Sequence, residues 1–301
     1  MSTALVFNNY GGPGTQELIE RPTPLPGPGE VVIEVKAAGV NPADWKIREG
    51  QLGRHWKLPA PLGLEASGVV IAVGDGVDDF VVGDAVLGVP AEGYGGIAEH
   101  TVLCAENTVL KPEEISFTDA AAIPVAGATA YDVTHQIELE AGQSLLILGA
   151  GGGVGLMAAQ IGKVHQFTVL GVADASKKEM VESTGASFIE SGDGVVERVL
   201  RIAPEGVDLI VDLVGGQPLR DIASVAKDPK NVVSTADPAT AEELGGAGVV
   251  RTAEALGKIT EVIKYGLVSP HVRARFTLAD ALEAIATAET GHAAGKVIVE
   301  P

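Results

Sequence analysis

Five glycines separate an apolar run from a helix-like one in LLILGAGGGVGLMAAQIGK, residues 145–163, and Gly149, Gly152 and Gly155 recur at every third position. A chain turning sharply from strand to helix needs glycine for its dihedrals, for close backbone approach to a ligand, and for packing the helix onto the sheet. The helix start, with Gly153 and Val154 between the spaced glycines, offers unpaired N–H groups and partial positive charge, which suit a phosphate. Both structural neighbours are present, so the run reads as a dinucleotide-binding turn rather than an ordinary glycine-rich loop. No Gly-Lys-Ser or Gly-Lys-Thr follows, which disfavours a mononucleotide P-loop.

The next strand ends in VLGVADASKKEM and addresses which dinucleotide. Asp174 fits the ribose hydroxyls of NADH, whereas Ser176, Lys177 and Lys178 can surround the extra phosphate of NADPH. The lysines can equally begin a solvated helix. Lysine opposes the dipole at a helix N-terminus, and two together favour an anionic partner, so NADPH is expected ahead of NADH.

These residues need elements to hold them. Residues 1 to about 116 read as short β-branched strands broken by turns, as in SGVVIAVGDGVDDFVVGDAVLGV, the texture of a β-barrel-like domain. From about 117 to 266, the apolar segments SLLILG, FTVLGVA, VDLIVDLVG and NVVSTA alternate with helical ones. That alternation predicts an α/β domain with a doubly wound parallel sheet. A helix over 253–265 would bury Leu256, Ile259 and Ile263. HVRARF, TLADALEAIATAE and GKVIVE then read as strand, helix and strand, with Thr277 and Asp280 as a capping box and a buried stripe of Leu278, Ala281, Leu282 and Ile285.

Composition narrows the function classes. The 40 acidic against 21 basic side chains give a formal charge of −19, which repels nucleic-acid phosphates and anionic membrane surfaces. The single cysteine, Cys104, excludes an internal disulfide framework and a zinc site made of several thiolates, and reads as a small buried strand residue. The N-terminal residues lack a basic region followed by an apolar core, and no run approaches the ~18 apolar residues that span a bilayer, so a cytoplasmic protein is expected.

With AAGVNPADWKIREG, PLGLEASGVVIAVGDGV, AAAIPVAGATAYDV, GAGGGVG, VDLIVDLVGG and GHAAGKVIV in this order, the chain resembles the medium-chain dehydrogenase/reductase superfamily, specifically its zinc-free, zeta-crystallin-like quinone oxidoreductase branch. The resemblance implies a GroES-like β-barrel domain, residues 1–116 completed by 267–301, with a Rossmann domain at 117–266. It further implies a homodimer with the cofactor held in an interdomain cleft. The superfamily's alcohol dehydrogenases carry a zinc-binding cysteine and histidine where this chain has Asn41 and Leu64, although Glu65 remains, and their four-cysteine structural lobe is absent. Neutral Asn and apolar Leu cannot replace a thiolate and an imidazole. Alcohol oxidation would then lack the Lewis acid that acidifies a hydroxyl.

The expected chemistry is therefore NADPH-dependent hydride transfer, without a metal, to a small-molecule quinone or an α,β-unsaturated carbonyl. Asn41 can orient the nicotinamide or bond the substrate carbonyl, or can simply be the turn residue before Pro42. Lys46 stands where related quinone reductases often carry tyrosine; it can stabilise an enolate or face solvent, and the proton donor stays unidentified. Tyr94, on a loop, can line the substrate pocket. The resemblance assigns Thr129 to the nicotinamide end of the cofactor and Lys296 to the cleft. Val214 and Ser234 lie at strand C-termini, where doubly wound sheets bind ligands, and Asp212 supports that edge. The histidines show no ligand spacing. A nucleotide-binding sensor or structural protein with little turnover is the alternative, kept open by Lys46 and a shortened strand region near GGAGVVRTAEALGK.

Overall fold

A computed structural model of the chain describes residues 1–291 and 295–301, so part of the GHAAGKVIV motif lies outside the described residues. In chain order the elements are β1 (Ser2–Phe7), β2 (Gln16–Arg21), β3 (Glu30–Val40), α1 (Pro42–Glu49), β4 (Ala60–Pro61), β5 (Glu65–Val73), β6 (Ala85–Pro90), β7 (His100–Leu110), α2 (Phe117–Ala120) and α3 (Ala128–His135). There follow β8 (Ser144–Leu148), α4 (Gly153–Val164), β9 (Thr168–Ala173), α5 (Lys178–Ser183), β10 (Ser187–Glu190), α6 (Val195–Ile202), β11 (Leu209–Asp212), α7 (Gly216–Ile222), β12 (Val232–Ser234), α8 (Pro238–Glu243) and β13 (Ala247–Gly248). The chain closes with α9 (Ala255–Lys264), β14 (Val272–Thr277), α10 (Ala281–Glu289) and β15 (Lys296–Glu300). Two compact units result, Met1–Ala126 with Pro270–Pro301, and Gly127–Ser269.

The first unit is β-rich. Strands pair in the order β14-β15-β3-β5-β6-β7, and β3 also pairs with β7, which closes the sheet on itself as a GroES-like barrel. The long β3 can serve three neighbours because its register slips between Val32 and Ile33 and again between Val35 and Ala37, and such irregularities bend a strand. Leu5, Val31, Ile33, Val70, Leu103 and Ile285 are among the side chains filling the interior. Residues 117–126 side with this unit, where Ser67 Oγ donates to the Phe117 carbonyl at 2.6 Å.

The second unit is a six-stranded, all-parallel sheet in the order β10-β9-β8-β11-β12-β13, the doubly wound arrangement. Its central strands are fully buried, which explains the near-continuous apolar runs in their sequence. The order reverses between β8 and β11, so the glycine turn after β8 stands at the switch point where such sheets bind ligands. The outer strands β10 and β13 escape a reading of apolar runs because they are short and carry little apolar surface.

Several local expectations need correction. Leu282 is 38% exposed, and the buried face of α10 is Ala281, Ala284, Ile285 and Ala288. A short 3₁₀ turn over Leu278–Asp280 precedes the α-helix, and Leu278, Ala281 and Ile285 are buried as expected. Thr277 Oγ1 donates to the Asp280 carboxylate at 2.7 Å instead of accepting from a backbone N–H, so no capping box forms. Cys104 lies on β7 but is only half-buried.

Candidate active site

In the second unit, the polypeptide leaves β8 and turns at Gly149, whose φ of +93° falls in the left-handed region that favours glycine. Gly152 caps α4 in an extended conformation, with Gly153 and Val154 opening the helix. A Cβ on Gly155 would stand 2.5 Å from the Gly149 carbonyl oxygen and 2.7 Å from the Ala150 Cα, so only glycine lets the helix start this close to the turn. Here lies a cavity of about 710 Å³, lined by Gly149, Gly151, Gly152, Asp174, Lys177 and Val214 among others. Its size and its wall of backbone N–H groups fit a dinucleotide.

Asp174 follows β9 and lines this cavity, and its Oδ1 accepts both the Ser176 N–H at 2.9 Å and the Ser176 hydroxyl at 2.6 Å. Ser176 thus braces Asp174. Lys177 does reach the cavity, its methylenes lying where a side chain on Gly151 would collide with them. Burial lowers the Lys177 ammonium below its ordinary range, with Asp174 opposing the shift. Lys178 instead points to Glu182 at 3.9 Å on the exposed face of α5.

At the sheet edge, Asp212 is fully buried and accepts from the backbone N–H groups of Val214 at 3.0 Å and Gly215 at 2.9 Å. Ser234 gives its hydroxyl to Asp212 at 2.5 Å and accepts the Asp237 N–H at 2.9 Å, so it shapes the edge loops. Val214 is 49% exposed and lines the cavity. Thr129, buried on α3, accepts from the Arg251 guanidinium, which also lies 3.8 Å from Asp132. The sequence reading missed the far wall, Ser191–Gly194 after β10, whose carbonyls Arg198 gathers, with 2.8 Å to Asp193 and 3.0 Å to both Glu190 and Gly192. Identifying SFIE as a strand would have turned the following S-G-D-G into a ligand-facing loop.

The first unit brings Asn41 and Lys296 together with Glu65. Lys296 Nζ donates to Glu65 Oε1 at 2.6 Å, to Asn41 Oδ1 at 2.7 Å and to the Val40 carbonyl at 3.2 Å. Asn41 Nδ2 donates to the same Glu65 oxygen at 2.8 Å, while Glu65 Oε2 accepts the Val125 N–H at 2.7 Å. All three side chains are buried. Gly39 makes room for them, because a side chain there would strike the Glu65 carboxylate and the Ala121 carbonyl. Nearby, Asp44 accepts from the backbone N–H groups of Asn41 at 2.8 Å and Gly63 at 3.0 Å. Burial pushes its pKa up to about 7 against the pull of those N–H groups and of Lys296.

Zinc does not fit this donor set. A divalent ion would have to displace an ammonium bonded to the only carboxylate in the trio, and it would find an amide and no thiolate or imidazole. Among the described residues no three His, Cys, Asp or Glu side chains converge as a metal set.

A second cavity, of about 620 Å³, lies wholly in the first unit. Asp44, Trp56, Leu58, Leu62, Leu64 and Tyr94 help to line it. Behind Tyr94, the Arg21 guanidinium lies 5.7 Å from the ring centroid. Lys46 is not gathered into this site; its ammonium lies 5.8 Å from the Trp45 ring centroid.

The alcohol dehydrogenase GroES-like domain family matches residues 27–113, and the zinc-binding dehydrogenase family matches residues 184–299. A chloroplast envelope quinone oxidoreductase homolog of Arabidopsis thaliana is 31% identical over 99% of this chain and 98% of its own length. The synaptic vesicle membrane protein VAT-1 homolog of Rattus norvegicus is 38% identical over 70% of this chain; the match spans about half of that relative, 54%. Among solved structures, Escherichia coli quinone oxidoreductase complexed with NADPH superimposes with a TM-score of 0.88 at 25% identity, covering 99% of this chain and 100% of that one. The parallel sheet with its glycine turn and the GroES-like barrel have the architecture of the medium-chain dehydrogenase/reductase superfamily. The chain belongs to the quinone oxidoreductase branch of that superfamily. Among the described residues, no helix is long and apolar enough to cross a membrane.

Proposed function

We propose that this protein uses NADPH to reduce quinones or α,β-unsaturated carbonyls by direct hydride transfer without zinc. The observation carrying this reading is the Asn41–Glu65–Lys296 cluster, a buried network whose cation is an ammonium already satisfied by three acceptors. Such a network offers no open coordination position, so it suits an acceptor that takes hydride without Lewis-acid help. The bound cofactor supplies the hydride. Gly149, Gly152, Gly153, Val154 and Gly155 present backbone for its pyrophosphate, Asp174 serves the ribose, and Lys177 serves the 2′-phosphate. Thr129 and Val214 serve the nicotinamide end.

Asn41 acts through its position in the network, since both ends of its amide are engaged and 4% of it is exposed. The apolar side chains and Trp56 ring of the 620 Å³ cavity suit a flat, electron-poor acceptor. Reduction adds one hydride and one proton to that acceptor, and the Tyr94 phenol is the group we assign to deliver the proton. NADPH oxidation followed at 340 nm against a panel of quinones, enones and alcohols tests the reading. Turnover of quinones or enones after chelator treatment supports it. Metal-dependent alcohol oxidation, or NADPH binding without turnover of any acceptor, overturns it.

The cofactor preference has its own test. Lys177→Ala removes a charge-assisted bond to a phosphate, worth about 1.5–3 kcal/mol. NADPH affinity should fall about ten- to a hundredfold while NADH affinity changes less than about threefold. Equal losses for both, measured by fluorescence titration, would show that the 2′-phosphate lies elsewhere.

A further inference from the structure

Two histidines that the proposed reaction does not use meet on the nucleotide-binding unit. His135 ends α3 and His165 follows the last residue of α4, and their Nε2 atoms are 3.1 Å apart. The rings stand nearly perpendicular, at 79° with centroids 5.0 Å apart. Each ring is held by a neighbour. His135 stacks on Tyr131 at 4.0 Å and 17°, and His165 on Phe167 at 5.5 Å and 21°.

The hydrogen bonding sets the chemistry. His135 Nδ1 lies 2.8 Å from the Tyr131 carbonyl oxygen, which can only accept, and 3.1 Å from Thr134 Oγ1; the tautomer with its proton on Nδ1 satisfies that carbonyl and turns the Nε2 lone pair toward His165. Metal-ligating histidines are oriented in this way, with one ring nitrogen donating to a carbonyl and the other left for the ion. For Zn–N bonds of about 2.0–2.1 Å, two ligands on a tetrahedron are about 3.3 Å apart. The observed separation is within a few tenths of an ångström of that edge. Both imidazoles stand at helix C-termini, where backbone carbonyls favour a cation.

We infer that His135 and His165 form a surface site for a borderline divalent transition-metal ion such as zinc, with water completing the coordination. The two imidazoles, from α3 and the end of α4, would clip those helices together. The site shares no residue with the Asn41–Glu65–Lys296 cluster, so the two readings can fail separately.

Titration of the full chain with zinc chloride by isothermal calorimetry tests this. One equivalent should bind with micromolar affinity, and His135→Ala and His165→Ala should each weaken that step at least tenfold. A control substitution, His55→Ala, should leave it unchanged. NADPH titration of the same variants checks that they remain folded. Binding no tighter than millimolar, or wild-type affinity in either His135→Ala or His165→Ala, would overturn the proposal.

Discussion

Lys296→Met is expected to remove about 3–5 kcal/mol of unfolding free energy, because it strands a buried carboxylate. The ammonium is 2.6 Å from Glu65 Oε1, and Glu65 has no exposed surface. The remaining donors to Glu65, the Asn41 amide and the Val125 N–H, are neutral and cannot balance its charge. Asn41 Oδ1 and the Val40 carbonyl lose a donor in the same change. Pairing the substitution with Glu65→Gln removes the stranded charge and should recover more than half of the loss, since a matched neutral pair avoids the desolvation penalty. Urea denaturation of both variants measures the two numbers. A single-variant loss below about 1 kcal/mol, the range of an exposed ion pair, would mean that water reaches Glu65 and that the cluster is not the closed network described.

The second large effect falls on cofactor affinity. Gly155→Ala should weaken NADPH binding about a hundredfold or more, with the fold retained. The added Cβ meets backbone atoms of Gly149 and Ala150 at 2.5–2.8 Å, and backbone there cannot rotate away as a side-chain tip could. The start of α4 must then move off the turn and carry its N–H groups out of register with the pyrophosphate that the proposed function puts there. Losing one or two such charge-assisted bonds at about 1.5–3 kcal/mol each sets the magnitude. Because the clash is at Cβ itself, Gly155→Val should be little worse than Gly155→Ala. Fluorescence titration gives the affinities, and a wild-type Kd in Gly155→Ala would show that the helix start does not hold the phosphates.

The nucleotide-binding half was legible in the sequence because its determinants are local. Strands covered on both faces must be apolar throughout, and a strand-to-helix turn at a phosphate must be glycine, so runs such as SLLILG and the spacing of Gly149, Gly152 and Gly155 declare themselves. The edge of the α10 stripe was less legible: Leu278, Ala281 and Ile285 are buried as their spacing predicts, but Leu282 beside them is exposed. The wall at Ser191–Gly194 was missed because β10 is short and its loop is shaped by Arg198, a residue on the following helix.

What the amino-acid order determined by itself was the pattern of strands and helices and the glycine turn between β8 and α4; the family resemblance added that Asn41 and Leu64 stand where alcohol dehydrogenases carry zinc ligands. What only the tertiary structure decided was how the remaining polar groups are used. Glu65 and Lys296 are 231 residues apart, and nothing in either's neighbourhood foretells their pairing. Closing the sheet brings β15 against β3 and β3 against β5, and Glu65, Asn41 and Lys296 meet buried in the interior. A charge there must find its partner in the protein, and that constraint exists only after the chain has folded.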